Sequence, residues 1–296
     1  MQLSKATFAS QSATSGFVLL WGCAAIFTRL GLDNASPLAL LIFRFAIALG
    51  TLLIIGCFRR RWLPEKGARR QAALTGLMLI GCYSVCYFQA MAHGVTPGLI
   101  ATIMGIQPIL TLCIVERRMQ GTRILGLLVA LSGLVLLVWR SLSTAYLPAS
   151  GIVFALAALL FMTFGAIMQK KTRQAPAEVL PLQYGISLLL CLVLLPLGTF
   201  QVSFNREFFI SVLFLGVLIS VVAQLLLYRL LNAGSIVNVT SLFYLVPVIT
   251  AILDYLLLGN TLPWSGMIGM GAILLGIMMV FRTPARRSVG SKKPVS

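Results

Sequence analysis

Acidic residues are almost missing from this chain. Six Asp and Glu stand among 296 residues, and there is one histidine, His93. Charged residues of both signs reach 10%, against roughly 25% in an average soluble domain. So few charges exclude an ordinary soluble surface and equally a disordered chain. Scarce carboxylates and histidine also remove the usual ligands of a metal centre. All six cysteines fall in apolar stretches. Cys82 and Cys86 lie one helical turn apart, yet the set reads as small packing residues, and neither disulfides nor zinc is expected. Reactive motifs are missing too. No Walker loop, no His-Glu-x-x-His and no Gly-x-Ser-x-Gly occurs, and Asp254 has no membrane aspartate beside it. An intramembrane enzyme or an ATP-driven pump would lack its working parts, and no cofactor is expected.

What is present is apolar sequence. Hydrophobic residues make up 59% of the chain, and the mean hydropathy is +0.99. A spanning helix needs about 20 mostly apolar residues. Ten such stretches follow one another: 14–32, 37–57, 71–91, 97–115, 121–139, 150–169, 179–200, 208–230, 235–258 and 263–281. They are continuously apolar and lack the short alternating segments of a membrane β-barrel. The expected fold is an all-α polytopic membrane protein of ten transmembrane helices. The first stretch contains Trp21 and Arg29 and shows no small-residue cleavage site, so it reads as a retained helix.

The net charge of +17 is a matter of sides. With ten spans, nineteen of the 23 Lys and Arg fall on one side, in the tails, the even-to-odd loops and the adjoining span ends. Arg117, Arg118 and Arg123 are counted there, in the loop after the fourth span. Arg29, Arg140 and Arg206 lie on the other side, and Arg44 lies inside the second span. The positive-inside rule places both termini in the cytoplasm of a bacterial inner membrane protein. The charge therefore reports orientation, and no nucleic-acid partner is expected. The bilayer and a small-molecule substrate are the expected partners. The chain reads as a monomer or weak homodimer, with the tail at 283–296 cytoplasmic and beside anionic headgroups.

The two halves are alike. Ser15-Gly16 opens the first span and Ser150-Gly151 the sixth; Pro108-Ile109-Leu110-Thr111 answers Pro247-Val248-Ile249-Thr250. Gly126 and Gly133 in the fifth span match Gly269 and Gly276 in the tenth. Each repeat holds five spans, an odd number, so the second copy crosses in the opposite sense. Residues 1–145 and 146–282 are read as two inverted repeats, an arrangement that supports alternating access in secondary transporters. The glycines fit close helix packing within the bundle or at a dimer seam.

Trp21-Gly22, Arg44-Phe45, the passage Tyr87, Ala90, Gly94, Pro108, and the passage Pro247, Leu258-Gly259-Asn260, Gly269, Gly276 carry a family resemblance over almost the whole chain. The sequence resembles the ten-helix EamA-type branch of the drug/metabolite transporter superfamily. Asn260 stands where that family usually has glutamate, and the segment from Pro108 to Glu116 is about one turn short. The resemblance implies a cavity walled by spans 3, 4, 8 and 9. It further implies export of small organic solutes, with amino acids or related metabolites foremost. Drugs, nucleotide sugars and other metabolites are the alternative cargo, and a non-transporting membrane subunit the alternative role.

Polar residues near mid-membrane usually face a bundle interior. Trp21, Tyr83, Tyr87, Gln107, Thr163, Gln183, Tyr184, Gln224 and Tyr244 occupy such positions. Aromatic faces with hydroxyl, indole and amide groups would hold an apolar substrate and give it hydrogen bonds; each could equally pack between helices. Pro108 and Pro247 each free a backbone carbonyl and mark candidate hinges lining a cavity. Arg44 could hydrogen-bond helix carbonyls or meet a substrate carboxylate or phosphate. Asp254 could pair with Arg44 or carry a coupling proton. Trp139 and Trp264 fit interface anchoring, and His93 a solvated helix end.

Overall fold

The computed structural model describes residues 2–59, 62–116, 120–143, 149–172, 174–258 and 263–282. Side chains of 2–12, 140–141 and 253–258 lie outside that description. The described chain is helical throughout, with no strand longer than a single bridge. Inside a bilayer no water is available to backbone groups, so apolar runs close their hydrogen bonds as helices. We label the helices α1 (Gln2–Leu32), α2 (Pro37–Arg59), α3 (Lys66–Ala92), α4 (Pro97–Val115) and α5 (Gly121–Leu137). The second half holds α6 (Ala149–Lys171), α7 (Pro176–Leu197), α8 (Arg206–Ala233), α9 (residues 236–258) and α10 (Trp264–Arg282). Eight are long and apolar enough to cross a membrane; Gly121–Leu137 and Ile236–Ile252 are shorter apolar helices. Ten crossings bring Gln2 and Arg282 to one face, the termini face; the other is the far face.

Turn chemistry sets the joints. Gly94, at φ 89°, takes the left-handed conformation that ends α3. Two residues later the Thr96 hydroxyl caps α4, accepting from the Leu99 amide at 3.3 Å, with Pro97 at the first helical position. Asn205 caps α8 in the same way, accepting from Phe208 N–H at 2.8 Å. The seventh apolar stretch was expected to run to residue 200, but α7 stops at Leu197. Pro196 lacks an amide donor there, and residues 199–203 leave the helix to pair with the loop between α1 and α2.

That pairing ties the far face. Ser36 N–H donates to Gln201 O at 2.9 Å and Ser203 N–H to Asn34 O at 2.8 Å, around an Ala35–Val202 bridge. The Ser36 hydroxyl adds a bond to Thr199 O at 2.7 Å.

Packing follows a two-fold scheme. α2 lies along α7, and α5 along α10; α3 packs on α6 as α8 packs on α1; α4 meets α6 as α9 meets α1. Exchanging the halves maps each contact onto its partner. Wider π-type turns recur at Leu77–Cys82 in α3 and Phe214–Ala223 in α8, again in matching places.

The glycine pairs show the scheme at atomic scale. A Cβ on Gly126 would stand 2.8 Å from Gly276 O, and one on Gly276 would stand 2.4 Å from Gly126 O. Gly133 and Gly269 are related likewise, at 2.6 and 2.5 Å. Backbones of α5 and α10 thus touch at two reciprocal points, and these four glycines are spent within the bundle. Trp139 and Trp264 are exposed at the far-face ends. The tail at 283–296, the Gly259-Asn260 pair and the Asp254 side chain lie outside the described residues.

Candidate functional site

A cavity of about 670 Å³ lies between the halves. Tyr83, Ser84, Tyr87 and Phe88 come from α3; Pro97, Gly98, Ala101, Met104, Gly105 and Gln107 from α4. Leu215 and Ile219 come from α8; Phe243, Val246, Pro247, Thr250 and Ala251 from α9. α1 adds Trp21, Ala24, Ala25 and Thr28, a wall that the expected set of spans 3, 4, 8 and 9 leaves out. Leu137, Val138 and Pro263 extend the lining to the far face, and among the described residues no lining residue comes from the termini face. Such a volume suits a small organic molecule.

Both α4 and α9 depart from a regular α-helical course near their prolines. α4 loses its α-helical course at Gly105–Ile106 and resumes at Gln107, with Pro108 in the first turn of the new segment. α9 runs Ile236–Ser241, tightens over Leu242–Tyr244, and resumes at Leu245 before Pro247. In each, proline sits where a missing amide donor costs least. The two breaks touch: the buried Tyr244 hydroxyl donates to Gly105 O at 2.6 Å. A second link joins α9 to α1, where the Thr250 hydroxyl donates to Gly22 O at 2.7 Å. Tyr244→Phe removes the bond between the breaks and leaves a buried carbonyl unpaired. It is expected to cost roughly 1–3 kcal/mol, read as a lower Tm in detergent with a folded, monodisperse protein.

The expected site residues divide. Trp21, Arg44, Tyr83, Tyr87, Gln107 and Pro247 line the cavity. Trp21 meets Phe243 edge-on at 5.5 Å between ring centroids, and Tyr83 lies 5.7 Å from Tyr87. Pro108, Thr163, Gln183, Tyr184, Gln224 and Tyr244 are outside its lining. Thr163 returns its hydroxyl to Leu159 O one turn back. Gln183 belongs to a buried network, donating to Gln169 Oε1 at 3.0 Å and accepting from the Tyr228 hydroxyl at 2.6 Å. Tyr184 is buried with its ring edge-on to Phe45. Gln183, Gln169 and Tyr228 join α6, α7 and α8 away from the cavity, although the Gln169 amide nitrogen keeps no partner among the described residues.

Arg123 needs a correction. Counted from sequence with the loop after the fourth span, it is 0% exposed. It sits in the first turn of α5, bound to the Glu116 carboxylate. Its other terminal nitrogen donates to Ser235 Oγ at 3.1 Å and Asn238 Oδ1 at 2.6 Å, at the start of α9. Beside it, Lys170 of α6 donates to the carbonyls of Leu231 and Gly234, the latter at 2.7 Å. The segment joining α8 to α9 is thus gripped by two cations on the termini face. A charge three positions inside an apolar run, seven after a lone glutamate, was the signal in the sequence.

A membrane-embedded helical bundle around a central cavity has the form of a transporter. The chain belongs to the EamA-like transporter family, whose model matches residues 13–139 and again 149–282. It is 24% identical to a probable amino-acid metabolite efflux pump of Salmonella typhimurium, over 92% of this chain and 94% of that one. It is 23% identical to the uncharacterized inner membrane transporter YedA of Escherichia coli K12, over 88% and 87%. A solved crystal structure shares the fold with a TM-score of 0.75 at 20% identity, over 91% of this chain and 98% of that one.

Proposed function

We propose that this protein exports small organic metabolites, amino acids or close relatives of them, across the bacterial inner membrane, with both termini cytoplasmic. The observation that carries the reading is the cavity bounded by the two broken helices, running to the far face while Arg123 and Lys170 close the termini face. On this reading the conformation is outward-open. Residues 1–145 and 146–282 act as the two units, with Pro108 and Pro247 at their hinges. Transport proceeds when the Arg123 cluster releases the start of α9, the far face closes, and the Tyr244–Gly105 contact lets the two breaks move together. Trp21, Tyr83, Tyr87 and Gln107 would hold the cargo. The Salmonella relative, a probable amino-acid metabolite efflux pump, supports amino-acid metabolites as the class.

Purified protein in liposomes, offered a panel of labelled amino acids and their deaminated relatives, tests this. Saturable flux of at least one member, abolished by a bulky Ala101→Trp substitution in the cavity lining, is expected. Folded protein that moves none of them would overturn the transport reading.

A further inference from the structure

Resting on the cavity as the cargo site, we propose that Arg44 selects cargo by charge, and that the preferred cargo is a carboxylate with an apolar body. Arg44 is the one formal charge in the described lining, which holds no Asp, Glu, Lys or His. It enters from α2 at the level of Tyr83 and Tyr87.

Its surroundings hold the guanidinium without neutralising it. Nε donates to Ser220 Oγ of α8 at 2.8 Å. The guanidinium carbon lies 5.8 Å from the Phe45 ring centre and 5.7 Å from that of Phe88. Among the described residues the two terminal nitrogens have no hydrogen-bond partner and no carboxylate. An arginine serving only as a strut would spend those donors on helix carbonyls. Here one bond fixes the plane and the fork is left for a ligand. The planar fork fits a carboxylate with two parallel bonds, and low-polarity walls strengthen the pair.

A second orphan donor supports the same chemistry. Gln107 also belongs to the lining, is 1% exposed, and its amide nitrogen has no partner among the described residues. The Arg44 fork, with no charged acceptor in the described lining, supplies the anion subsite. The aromatic surfaces of Trp21, Tyr83 and Tyr87 then take the apolar body. An ammonium group meets no carboxylate among the described lining residues, so a simple carboxylate should outrank the matching zwitterion, and both should outrank the amine.

The test uses four solutes of one shape: phenylpropionate, phenylalanine, phenylpropionamide and phenylethylamine. Binding to the detergent-purified full chain is measured beside flux in liposomes. The wild type should prefer phenylpropionate to phenylpropionamide by roughly tenfold to hundredfold, the range of a hydrogen bond to a charged group. In Arg44→Gln that ratio should fall to about one, and Arg44→Lys should keep part of it because it retains charge without the fork. Equal affinity for the carboxylate and amide in the wild type overturns the proposal, whether or not the variants fold. So does an undiminished ratio in a folded Arg44→Gln. Preferential binding of phenylpropionate without flux of any solute upholds the carboxylate site and overturns transport instead. Flux of phenylalanine with no preference for phenylpropionate over phenylpropionamide does the reverse.

Discussion

Replacing Arg123 by alanine is expected to cost about 3–5 kcal/mol of the closed termini face. The change leaves the Glu116 carboxylate without its counter-charge and removes the donors that hold Ser235 and Asn238. Removing one member of a buried pair costs more than removing both, because the survivor keeps its desolvation penalty. The double variant Arg123→Leu, Glu116→Leu should therefore melt above Arg123→Ala. A conformational readout separates loss of the latch from general damage. Ser235→Cys, in a background where the exposed Cys57 and Cys113 are replaced, should react with an impermeant thiol reagent from the termini face. The rate should rise at least roughly tenfold when Arg123 is alanine, since 1.4 kcal/mol corresponds to a factor of ten. Unchanged melting and unchanged labelling would show that the cluster holds nothing.

The second large effect belongs to the crossing of α5 and α10. Gly276→Val should destabilise by about 3 kcal/mol, the upper part of the range for overpacking. Its Cβ alone would stand 2.4 Å from Gly126 O and 2.6 Å from the Ala130 amide nitrogen. Both are backbone atoms, which cannot swing aside as a flexible side chain would. Gly133→Val should behave alike at the reciprocal contact, where Gly269 O is 2.6 Å away. The same helix supplies the control. A Cβ on Gly271 meets nothing within 4 Å, so Gly271→Ala should be neutral or stabilise by up to about 1 kcal/mol through helix propensity. Thermal melting of the three variants in one detergent checks the set. Equal melting of Gly276→Val and Gly271→Ala would remove the significance given to the crossing.

How much of this was legible in the sequence follows from what hydrophobicity measures. Apolar run length locates helices well, and the ends of α4 and α9 agree with their expected limits to within a residue. The paired prolines likewise marked breaks, because a missing amide leaves its trace in the sequence. Polarity in a membrane helix says that a residue avoids lipid, but not which interior it faces. Gln183 and Gln107 are equally polar and equally buried. One closes a hydrogen-bonded seam with Gln169 and Tyr228, and the other lies on the cavity wall with an unpaired amide nitrogen. Only the third dimension distinguishes them. Arg123 escaped for the opposite reason. Counting basic loop residues treats each as solvated, and a cation that turns inward at the first turn of a helix is counted with the rest.

The short pairing of residues 34–36 with 199–203 has a consequence for any measurement of motion. It joins the far-face end of α2 to that of α7, and these helices also lie along one another through the bilayer. On the termini face, Gln174 of the segment following α6 reaches Glu65 of the segment preceding α3 at 3.3 Å. The α2–α7 pair is therefore braced near both ends, whereas α4 and α9 are each interrupted at mid-length. Ala35 and Val202 supply a fixed ruler within the molecule. Displacements of the broken helices are best read as distances from that mark.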